Sequence, residues 1–106
     1  IMESSRGQMD VARSIRLIEW LKAEMVGSVA ALLKSLVNGG EELIADCLAG
    51  IIMTTYILGK RVGISYPRVD QKLKERVEAG IREGHEIEEW YGDLSSLQRY
   101  LEGRKR

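Results

Sequence analysis

From Val11 onward, apolar residues recur at Val11, Ile15, Ile18, Leu21, Met25, Val29, Leu32 and Leu36, in steps of three and four that trace one face of a helix. Asp10 stands where an N-cap would open this helix, and Asn38-Gly39-Gly40 would stop it. The pattern predicts a helix of about 27 residues, roughly 40 Å long, with Gly27 as a potential kink. The next segment, Glu41 to Leu58, places Leu43, Ile44, Leu48, Ile51, Ile52, Ile57 and Leu58 all around the axis. A helix apolar on every side has to be covered on every side. In a chain of 106 residues the remainder covers one side, so the other side calls for a second subunit. Gly59, Gly63 and the start signal Ser65-Tyr66-Pro67 separate this segment from a third helix, where Val69, Leu73, Val77 and Ile81 form a narrow stripe between charged faces. Gly92-Asp93 then opens a short fourth helix on Leu94, Leu97 and Leu101. Residues 1–8 (IMESSRGQ) have no apolar signal core and read as a flexible leader. That leaves 9–106 as a single all-α domain, a four-helix bundle completed by dimerisation into a homodimer or tetramer.

Composition narrows the partners. The chain has 16 Lys+Arg against 16 Asp+Glu, so it lacks the basic footprint of a nucleic-acid binder or of a protein drawn to an anionic membrane. A single cysteine, with no CxxC pair and no Cys/His cluster, excludes an internal disulfide and a structural zinc site and points to a reducing, cytoplasmic setting. The longest apolar stretch, Leu43 to Leu58, falls short of the ~20 residues that span a bilayer and contains Asp46, so no membrane segment is expected.

A short loop near Gly39 makes the first two helices antiparallel neighbours, with residues whose numbers sum to about 78 facing each other. Gly27 then lies opposite Ile51, beside Gly50. Each mid-helix glycine costs close to about 1 kcal/mol against alanine, so the pair serves either close helix packing or room for a ligand between the helices. Glu42 and Asp46 are four apart and share a face. Asp46 sits one turn inside an apolar helix, where an unpaired carboxylate is costly; a metal ion, a basic side chain or a backbone donor would satisfy it. Mg²⁺ is the usual hard cation where several carboxylates converge. Glu24 faces the level of residue 54, about 12 Å along the axis from Asp46, so the two meet on one ion only if the helices bend or two subunits contribute.

Two stretches together resemble the MazG-like family of all-α nucleoside triphosphate pyrophosphohydrolases. Ala23-Glu24-Met25-Val26-Gly27-Ser28 is similar to that family's E-E-V-G-E segment, and Glu41-Glu42-Leu43-Ile44-Ala45-Asp46-Cys47-Leu48 to its E-E-L-A-D-V-L segment. Ile57-Leu58-Gly59-Lys60-Arg61-Val62-Gly63-Ile64-Ser65 resembles the run closing the family's central helix. Asp10-Val11-Ala12, Ile18-Glu19-Trp20-Leu21-Lys22 and Trp90-Tyr91-Gly92-Asp93-Leu94 resemble a short branch of it, so the likeness spans Met9 to Arg106. The resemblance implies two acidic motifs, ExxE and ExxD, holding Mg²⁺ on a triphosphate while water releases pyrophosphate and a monophosphate. Here the motifs are degraded. Aligned on Val26-Gly27, the ExxE acids become Met25 and Ser28, and Leu43 stands where the ExxD glutamate belongs. Glu24, Glu42 and Asp46 remain as the expected metal ligands. Lys72 lies one residue from the place of a phosphate-contacting lysine and reads equally as a solvated surface charge.

The remaining residue types point to no other chemistry. His85, in a charged stretch, reads as a surface residue, and Cys47 as a small buried hydrophobe. Trp20, Trp90 and Tyr91 read as anchors between the long helix and the C-terminal segment, and Arg104-Lys105-Arg106 as a solvated end. No Gly-rich phosphate loop and no Ser/His/Asp set is present. Two functions therefore stay open: a Mg²⁺-dependent pyrophosphohydrolase or nucleotide-binding protein acting on a (d)NTP, or a catalytically inactive relative that keeps the helical dimer as a regulator or scaffold.

Overall fold

The computed structural model describes residues 2–104, with side chains from residue 7 onward; Ile1 of the expected leader and Lys105-Arg106 of the basic end lie outside the described residues. The protein is all-α, 91% helical, with no strand among the described residues. Five helices follow in order: α1 (Met2–Asn38), α2 (Glu41–Arg61), α3 (Tyr66–Glu83), α4 (Glu86–Tyr91) and α5 (Asp93–Arg104). They form two compact units, Ile1–Ser65 and Tyr66–Arg106.

In the first unit α1 and α2 pack together across the two-residue connection Gly39-Gly40. Gly39 belongs there for a steric reason: a Cβ on it would stand 2.7 Å from the Ser35 carbonyl oxygen, the same oxygen that accepts its N–H. The buried side of α1 follows residues 14, 18, 21, 25, 28, 32 and 35, an alternation of four and three that keeps one seam against a neighbouring helix. Leu21, 2% exposed, is its centre, and Ser35 is buried with its hydroxyl donating to the Leu32 carbonyl. On α2 the seam includes Ile44, Cys47, Ile51 and the buried Thr54. The expected stripe is therefore only half right. Ile18, Leu21, Met25 and Leu32 lie on the seam, whereas Val11, Ile15, Val29 and Leu36 are exposed beside it.

Two further expectations are corrected in this unit, and a third observation concerns α2. α1 opens at Met2, so Asp10 lies within the helix instead of capping it; no proline interrupts residues 2–10, and each further residue adds one backbone bond once a helix is nucleated. A Cβ added at Gly27 or at Gly50 meets nothing within 4 Å, so neither glycine marks a close approach of α1 to α2. Finally, α2 reaches 21 residues with a mean hydropathy of 1.5 over its most apolar window, long and apolar enough by length and composition alone to cross a membrane. Only 6% of that window is buried in the single chain, so packing within the hairpin does not account for its composition.

Gly63, at φ +91°, ends α2, with the Ile64 N–H reaching back to the Gly59 carbonyl, a left-handed turn that side chains oppose. In the second unit α3 packs on α5, and α4 on α5. Val77, 4% exposed, is the buried centre of the α3 stripe. The close helix approach sought at Gly27 occurs instead at Gly80, where a Cβ would stand 2.7 Å from Leu94 Cδ1 of α5. One short helix escaped the sequence reading, because α4 is only six residues long and is made by its caps. His85 Nδ1 accepts the Ile87 N–H at 3.1 Å, and Gly92, at φ +65°, donates its N–H to the Glu88 carbonyl.

Candidate functional site

The carboxylates expected to bind metal are carried on the hairpin of the first unit. Glu24, on α1, is exposed and lies next to the seam residue Met25. Glu42 lies in the first turn of α2, where negative charge complements the positive end of the helix dipole, and Gly40 offers no side chain to cap that end. Asp46 follows four residues on and is exposed as well. Its ionised form is thus hydrated in the single chain, which removes the need for a compensating group that its apolar surroundings implied. Among the described residues no three His, Cys, Asp or Glu side chains come close enough to hold a metal ion.

The seam explains why. The positions that replace the ExxE acids, Met25 and Ser28, are both half-buried seam residues of α1. Facing side chains on α2 come from Cys47, Ile51 and Thr54, so the interior of the hairpin is neutral. The surviving acids point off the seam, and the donor set of one chain does not fit a Mg²⁺ ion. Lys72 belongs to the second unit and forms an ion pair with Glu75 at 3.2 Å, the ordinary behaviour of a solvated helix face.

Other singled-out residues also settle into structural places. His85 is the N-cap of α4, and Cys47 is half-buried in the seam. Trp20, Trp90 and Tyr91, expected as anchors, are 56%, 68% and 75% exposed, so none of them is a core residue of its own unit. Sequence reasoning missed Glu88. Its carboxylate accepts the Ser95 N–H at 2.9 Å and the Ser95 hydroxyl, capping the first turn of α5 from α4. The Ser95 hydroxyl, and then its amide, hold the Glu88 carboxyl below the usual glutamate range. Spacing hides this contact because the two residues lie on different helices.

The model of the MazG-like family matches residues 11–94, from α1 to the first turn of α5. The chain belongs to the MazG-like family, and its fold is that of a nucleotide pyrophosphohydrolase-like protein. No curated protein and no solved structure matches it.

Proposed function

We propose that this protein is a MazG-like nucleotide-handling protein that works as an assembly of copies, with Glu42 and Asp46 presented outward from each hairpin. The observation that carries this reading is the unused apolar surface of the α1–α2 pair. The chain exposes 8535 Å², whereas a compact 12.0 kDa protein exposes about 6000 Å², or about 7200 Å² if its two units are counted as separate bodies. Much of the surplus is aliphatic: Val11, Ile15, Val29, Leu33 and Leu36 on α1, and Leu43, Leu48, Ile52 and Met53 on α2. Patches of this kind mark protein interfaces. A homodimer or tetramer formed there would cover α2 and bring the outward carboxylates of separate copies toward one another. The reaction implied by the family, Mg²⁺-dependent hydrolysis of a (d)NTP to the monophosphate and pyrophosphate, is open to this chain only in that arrangement.

The neutral seam favours a second reading. With Met25 and Ser28 in place of acids, the helix pair is preserved as a regulatory or scaffolding dimer without catalysis. Titration calorimetry with Mg²⁺ and a panel of nucleoside triphosphates, paired with a pyrophosphate-release assay, separates the two. The first reading expects heat and pyrophosphate, both lost in Asp46→Asn. Absence of both from the wild-type protein rejects it, and heat unaltered by Asp46→Asn rejects Asp46 as a ligand.

A further inference from the structure

The net charge of zero conceals a strong segregation. Residues 83–93 hold five carboxylates and no Lys or Arg, so the balance of 16 against 16 leaves a surplus of five positive charges on the rest of the chain. The same acidic segment displays the most exposed aromatic side chains of the second unit. Ile87, Trp90 and Tyr91 stand at i, i+3 and i+4, one side of α4, and are 44%, 68% and 75% exposed. They take little part in holding the helix. α4 is fixed through its polar groups: His85 at its start, Gly92 at its end and Glu88 clamped to Ser95 of α5. A helix this short is unstable on its own, so these caps hold a preformed apolar face toward solvent. Glu86 borders that face beside Trp90, Glu83 and Asp93 flank the helix in sequence, and Glu89 lies on its opposite side; all four are exposed, and none makes an ion pair among the described residues.

We propose that the exposed side of α4 is a docking surface for a basic, amphipathic peptide segment of a partner protein. Charge complementarity selects the occupant. Arg and Lys are attracted both to carboxylates and to the π-faces of Trp and Tyr, and an aliphatic side chain between them fits beside Ile87. Large aromatic residues at a preformed site are the usual carriers of binding energy, while a rim of charges speeds and orients the encounter.

The test uses the full-length protein and a short fluorescein-labelled peptide of Arg, Lys and Leu, with a Glu/Leu peptide of the same pattern as control, read by anisotropy. The basic peptide is expected to bind and the acidic one not, with affinity falling as salt is raised. Trp90→Ala should weaken binding by about tenfold or more, and Glu86→Gln with Glu83→Gln should weaken it and flatten the salt dependence. Circular dichroism checks that each variant is folded; if Trp90→Ala is not, the glutamine pair decides alone. The proposal is overturned if the basic peptide fails to bind, if both peptides bind alike, or if the folded variants bind as the wild type does. It is equally overturned if light scattering shows that Trp90→Ala breaks up an assembly of the protein, because a second copy then occupies the face.

Discussion

Replacing Leu21 by alanine tests the seam directly. Leu21 is 2% exposed and, among the described residues, is the one large side chain fully enclosed. Truncation removes its buried aliphatic carbons and leaves a cavity that a two-helix seam refills only in part, a loss of about 3 kcal/mol. A unit of 65 residues is stable by roughly 3–10 kcal/mol at ordinary values per residue. Leu21→Ala should therefore consume between a third and all of the stability of the hairpin. Leu33, on the same helix but 59% exposed, should cost below about 1 kcal/mol in the dissociated chain. The assay is urea denaturation followed by Trp20 fluorescence in a Trp90→Phe background, so that the signal comes from the first unit. Repeating it over a range of protein concentrations separates core from interface, since association adds stability by mass action. The cost of Leu33→Ala should grow with concentration and that of Leu21→Ala should not. A loss below about 1 kcal/mol for Leu21→Ala, or an equal loss for both at the lowest concentration, refutes the assignment of the seam.

Acid should loosen the second unit through Glu88. Its folded pKa is depressed, so its contribution is present in full above the ordinary glutamate value of about 4.3 and is lost as pH falls through the folded value. A melting series from neutral to acid pH should show this fall in the wild type and a flatter profile in Glu88→Gln. His85→Ala removes the N-cap of α4 and should cost about 1 kcal/mol in the melting of that unit. Gly27→Ala and Gly50→Ala place a methyl in open space and should each stabilise the dissociated chain by about 0.5–1 kcal/mol; a loss in denaturation would show that a neighbour occupies that space.

Much of the helical layout is legible in the chain. Asn38-Gly39-Gly40 ends α1 where the stop signal places it, and Tyr66 and Asp93 open α3 and α5 as their preceding signals indicate. Periodicity finds such boundaries because glycine and proline act locally. It is less informative about which apolar residues face which neighbour. Val29 and Leu32 both fit a three-four spacing, yet Leu32 lies on the seam and Val29 is exposed, because α1 carries two apolar faces and the spacing merges them. The same blindness misplaced the glycine contact: Gly80 and Leu94 touch across helices, and nothing in the local sequence registers that. For the candidate site, the loss of the ExxE acids at Met25 and Ser28 is visible in the sequence, and the neutral seam agrees with it. The exposure of Asp46 is not visible, because an apolar helix looks the same whether its cover comes from one chain or from several.

The two-glycine connection also bears on the order in which the first unit forms. Residues next to Gly39-Gly40, such as Ser35 and Ile44, meet after closing a very short loop, whereas the distal ends of α1 and α2 meet only after a long one. Loop-closure entropy rises with that separation, so the hairpin should zip outward from its turn, with contacts near Ser35 made before the seam closes over Leu21. Such local pairing favours folding in microseconds to milliseconds. A hairpin that forms before its outer faces are covered then presents its exposed aliphatic side chains early, and the concentration of chains, not the folding of one, sets how long they stay bare.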